Sequence, residues 1–99
     1  MVKVYINSYG FSVQGHANYD EYGFDIVCSA ISAISQSVAL AIKKYGKAKV
    51  RTTSGWVSVD LEEFSKETDI LIDVLRMGLL EIEKEYPKHL EVRVAKGVR

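Results

Sequence analysis

Apolar and polar residues alternate from the start of the chain. Val2, Val4 and Ile6 fall on one side of an extended segment, and Lys3, Tyr5 and Asn7 on the other. A period of two over residues 2–7 predicts a strand with one buried face. Asn7-Ser8-Tyr9-Gly10 then supplies turn formers. A second alternating run sets Phe11 and Val13 against Ser12, Gln14 and His16, so the two segments read as a hairpin. His16 falls at the end of its second strand, on the polar face. Residues 17–25 show no period, and their turn formers and aromatics (Tyr19, Tyr22 and Phe24) predict a loop.

From residue 26 the period lengthens to that of a helix. Val27, Ala30, Ile31, Ile34, Val38, Ala41, Ile42 and Tyr45 recur at helical spacing, and Gly46 supplies a stop. Residues 47–61 return to alternation around a Ser54-Gly55 turn, with Ala48 and Val50 in the first arm and Val57, Val59 and Leu61 in the second. A second helix is predicted over about 66–86, with Ile70, Val74, Leu75, Gly78, Leu79, Ile82 and Tyr86 on one stripe until Pro87 breaks it. Leu90, Val92 and Val94 mark a last strand. The order ββαββαβ, with one apolar face per strand, predicts a two-layer α+β domain. Both helices cover one face of a mixed sheet made of two hairpins and a final strand.

Composition narrows the classes. Ninety-nine residues, 47% hydrophobic and 26% charged, suit a single globular domain over residues 1–99. No uninterrupted run of eighteen apolar residues occurs, so no transmembrane helix is expected. The alternating N-terminus lacks the layout of a signal peptide, which points to the cytoplasm. Thirteen basic residues balance thirteen acidic ones. That balance argues against direct nucleic-acid binding, which needs a basic face. The one basic cluster, Lys43, Lys44, Lys47, Lys49 and Arg51, reads as a solvated helix end and edge strand.

The single cysteine changes the picture more. It cannot form an internal disulfide and offers little to zinc, so no metal or cofactor is expected. What remains is a buried apolar thiol, an intermolecular link or a reactive thiolate. Cys28 is expected in the first turn of the first helix, with Asp25 as a plausible N-cap. The helix dipole and free N–H groups there favour thiolate. Amides near Cys28 and Ser29 could stabilise an oxyanion, and an imidazole at the adjoining strand end could manage the proton. The bland alternatives stand beside this. Cys28 lies among Val27, Ala30 and Ile31; Ser29, Ser32, Ser35 and Ser37 fit a polar helix face; His89 fits a surface position. The aromatic loop could bind a ligand or fold back on the core.

Gly15-His16-Ala17, then Gly23, then Asp25-Ile26-Val27-Cys28-Ser29-Ala30, then Ser32, resembles the signature of the ribosomal-processing cysteine proteases, GHA…GxDxVCxAxS. The layout is similar over essentially the whole chain. The resemblance implies Cys28 as nucleophile and His16 as base, with Asp25 and Ser32 orienting and supporting the site. Gly15 and Gly23 would let the loop bend, and Tyr19, Tyr22 and Phe24 would meet the substrate. Ser29 stands where the family often has alanine. The family implies a homodimer that trims the N-terminal extension of the bacterial large-subunit ribosomal protein numbered twenty-seven, after a pair of aromatic residues. Such a peptide could bind as an extended strand added near the sheet. The rival readings are a non-catalytic ribosome-assembly module with Cys28 buried, another thiol hydrolase on the same dyad, and a structural dimerisation domain.

Overall fold

The computed structural model describes residues 1–15, 24–53 and 56–95, the side chains of Phe24 and Asp25 apart. Strand β1 (Val2–Asn7) turns into β2 (Gly10–Gln14), where the Asn7 side chain accepts the Tyr9 amide at 2.8 Å. Helix α1 (Phe24–Tyr45) leads to the hairpin of β3 (Ala48–Thr53) and β4 (Trp56–Leu61). Helix α2 (Lys66–Glu85) leads to β5 (Leu90–Val94). The ββαββαβ order and the two-layer α+β architecture agree with the sequence pattern.

The sheet order is β3-β4-β2-β1-β5, antiparallel except where β5 joins β1. Its register aligns the alternating apolar positions into rows. Val92, Val4, Val13, Val57 and Thr52 form one row, and Val94, Ile6, Phe11, Val59 and Val50 the next. The inner three strands of these rows are buried, as the period of two requires.

Both helices close this face. Val27, Ile31, Val38 and Ile42 of α1 meet Leu75 and Leu79 of α2 in one core cluster with the sheet. The helices approach closely where Gly78 lies against the Ile34 side chain, leaving no room for a Cβ. Ser65 caps α2 and exchanges hydrogen bonds with Thr68 (3.2 Å each way), a reciprocal capping box on a fully buried threonine.

Three features of the predicted stripes shift. Ala30 and Tyr45 of α1 face outward, and so do Tyr86, the C-cap of α2, and Ile70 and Val74 of α2, whose buried line runs through Thr68, Leu75 and Leu79. Ser35, expected on a polar face, is fully buried, whereas Ser29, Ser32 and Ser37 are exposed. Helix α1 also exceeds what an uninterrupted-run test detects. Ile26–Tyr45, with mean hydropathy 1.6, is long and apolar enough by composition to cross a membrane. Of that apolar stretch 33% is buried in the fold, while Ile26, Leu40 and Tyr45 are exposed. The basic cluster lies exposed at the end of α1 and along β3, which is an edge strand.

Candidate active site

The site is built where β2 ends and α1 begins. Gly15 follows β2 with φ +136°, a conformation open to glycine, and a Cβ there would stand 2.7 Å from the Met1 carbonyl oxygen. The backbone therefore leaves the strand by a route that only glycine takes, one residue before His16. His16, Tyr19, Tyr22 and Gly23 lie outside the described residues, as do the side chains of Phe24 and Asp25.

Helix α1 starts at Phe24, two residues earlier than the apolar pattern predicts. Asp25 is therefore inside the first turn and not its N-cap. Cys28 becomes the fifth helical residue, so its amide and that of Ser29 belong to the intrahelical ladder. The unused N–H groups of this helix end are those of its first residues, Phe24 to Ile26. An oxyanion cannot draw on the Cys28 and Ser29 amides as expected.

Cys28 itself is half-buried, packed against the core and open to a cavity of about 210 Å³. One wall is a stripe of α1 at helical spacing: Cys28, Ile31, Ser32, Ser35 and Gln36. The other wall comes from the ends of the strands: Val2, Val13, Gly15, Thr53, Trp56 and Val57. Drug-sized ligands occupy roughly 300–1,000 Å³, so this cavity suits one side chain of a larger molecule better than a free cofactor.

No described lining side chain is charged. The hydroxyl of Ser35 is buried without a hydrogen-bond partner among the described residues. Of the positions singled out in the sequence, Gly15, Cys28 and Ser32 come together here. Ser35, Gln36, Thr53 and Trp56 join them unforeseen. The first two stand seven and eight residues after Cys28, a spacing that could have flagged them. Thr53 and Trp56 are paired across β3 and β4. His89 is not in this wall; its ring packs beside Tyr86 with centroids 6.5 Å apart.

Residues 1–91 match the family described as cysteine protease Prp. The chain belongs to that family. A Prp-family protein is a cysteine protease, and this chain is therefore a peptide-bond hydrolase. No curated protein matches the sequence. Among solved structures, the essential ribosomal processing protease Prp from S. aureus with a substrate peptide superposes with TM-score 0.86 at 22% identity. The match covers 96% of this chain and 100% of that one. The same S. aureus protease with a covalently linked product peptide gives 0.84 at 23% identity, with the same coverage. SMU.848 from Streptococcus mutans gives 0.78 at 20% identity, covering 98% of this chain and 96% of that one. These likenesses establish the shared fold; the family match carries the Prp assignment and the chemistry.

Proposed function

We propose that this chain is the endopeptidase that removes the N-terminal extension of the bacterial large-subunit ribosomal protein numbered twenty-seven, with Cys28 as nucleophile and His16 as base. The observation that carries the reading is that the only thiol of a cysteine protease opens to a cavity sized for a substrate side chain. The S. aureus relative with a covalently linked product peptide supports a covalent step.

The Cys28 sulfur, held as thiolate, attacks the scissile carbonyl carbon and forms a tetrahedral oxyanion. His16 supplies the countercharge, its imidazolium holding the thiol proton. As the C–N bond breaks, that proton passes to the leaving amine, and the extension remains as a thioester on Cys28. Water, deprotonated by His16, then attacks the thioester and releases the carboxylate with the thiol restored. Asp25 and Ser32 serve this pair by orientation. Ser32, one turn after Cys28, lines the same cavity. Gly15 and Gly23 flank the segment carrying Tyr19, Tyr22 and, just beyond it, Phe24, which meets the aromatic pair before the cut.

The enzyme acts in the cytoplasm, where ribosomes are assembled and a thiol stays reduced. It works as a homodimer, a reading favoured by the exposed apolar residues Ile70, Val74 and Met77 on α2. The test is mass spectrometry of the purified protein incubated with the host precursor, beside Cys28→Ala and His16→Ala. The expected result is one cut, by the wild type alone. A precursor carrying the extension but left intact by all three would overturn the substrate assignment.

A further inference from the structure

We infer that the peptide binds as an added strand on the outer edge of β3, in the trough under α1 that leads away from Cys28. The inference rests on the peptidase reading above and names how its substrate is held. β3 and β5 are the two edges of the sheet. On the β5 edge the Val92 amide is already taken, donating to the Glu83 carboxylate at 2.6 Å, and the Leu90 amide donates to the Tyr86 carbonyl at 3.3 Å.

The β3 edge is open in a definite pattern. The Leu61 amide donates to the Tyr9 carbonyl at 2.8 Å, away from β3. The Ala48–Leu61 pair is therefore not hydrogen-bonded, and alternation along the ladder directs the N–H and C=O groups of Ala48, Val50 and Thr52 outward. Such a row of groups matches another extended backbone. Lys49 and Arg51 alternate with them and discourage pairing with a second copy of β3.

Val50 and Thr52 also line a cavity of about 400 Å³ with Gln36, Ala39, Leu40 and Lys43 of α1. Gln36 belongs to the wall of the Cys28 cavity as well, so the two spaces adjoin. At about 1.5 Å per helical residue, Cys28 to Lys43 spans roughly 22 Å, the length of about six or seven extended residues. Alternate side chains of that segment would face Ala39, Leu40 and Val50 and be selected as apolar. Those between would face away from α1.

The experiment is a scan of single N-methyl amides along a synthetic peptide spanning the processed junction of the host precursor. Cleavage is measured with wild type and affinity with Cys28→Ala. Blocking an amide that pairs with β3 should lower kcat/KM and affinity about tenfold, at every second position on one side of the cut. Val50→Pro removes one outward N–H without touching the β4 ladder, and should raise KM about tenfold with kcat and thermal unfolding unchanged. If Val50→Pro does not fold, the peptide scan decides alone. An aperiodic scan, or losses confined to residues beside the cut, would overturn strand addition and leave the peptidase standing. An unmodified peptide neither bound by Cys28→Ala nor cut by wild type would overturn the substrate reading, and strand addition with it.

Discussion

Replacing Ser35 with alanine should make the protein more stable. The Ser35 hydroxyl is buried in the wall of α1 that lines the Cys28 cavity, and no described residue accepts or donates a hydrogen bond to it. A buried hydroxyl without a partner costs about 1–3 kcal/mol relative to water. Alanine removes that cost and is the better helix former by about 0.5 kcal/mol. Losing one oxygen forfeits some packing, so the net gain should be about 1–2 kcal/mol. For a domain of this size, each kcal/mol moves Tm by about 4–8 °C, so Ser35→Ala should melt roughly 5–15 °C higher. Thermal unfolding by circular dichroism, with a urea titration checking that the m-value is unchanged, gives both quantities. A Tm equal to wild type or lower is the opposite outcome. It would mean that the hydroxyl has a partner, such as a water in the Cys28 cavity, whose loss outweighs the relief.

Gly15→Ala forces a side chain into a conformation that costs about 1–3 kcal/mol and against the Met1–Val2 backbone. Stability and kcat should fall together, and an unchanged melting curve would contradict the geometry. Ser65→Ala removes the acceptor for the Thr68 amide and should cost about 1 kcal/mol in urea unfolding, with cleavage unaffected. The two histidines should separate cleanly in a peptide-cleavage assay. His16→Ala abolishes turnover, whereas His89→Ala, away from the cavity and against Tyr86, keeps kcat within about twofold of wild type. Loss of turnover in His89→Ala with its fold intact would move the base to the other end of the chain.

The strands were legible because each buries one face, and the period of two survives in the pattern of Val2, Val4 and Ile6 and of Val57, Val59 and Leu61. The start of α1 was less legible. Periodicity reports burial and not backbone conformation, so the first turn of α1 at Phe24 and Asp25 looked like the end of a loop. That shift moved Cys28 deeper into the helix and removed Asp25 as a cap. In α2 the apolar residues Ile70, Val74 and Met77 lie beside the buried line, and spacing alone could not choose between the two faces. The parallel pairing of β5 with β1 depends on the path of α2 across the sheet, which no local pattern records. At the site, Cys28 stood out as the single thiol, and Ser32 through the family resemblance alone. Trp56 and Thr53 did not, because only the sheet register brings the β3–β4 hairpin to the wall opposite α1.

In the proposed reaction Cys28 carries the acyl group of the peptide. Acid-quenching the wild-type enzyme soon after mixing with the precursor, followed by intact mass and peptide mapping, tests it directly. A thioester adduct with the mass of the extension, mapped to Cys28 and absent from Cys28→Ala, is expected. Cleavage of the precursor by Cys28→Ala at the wild-type rate, with no adduct on either protein, would contradict it.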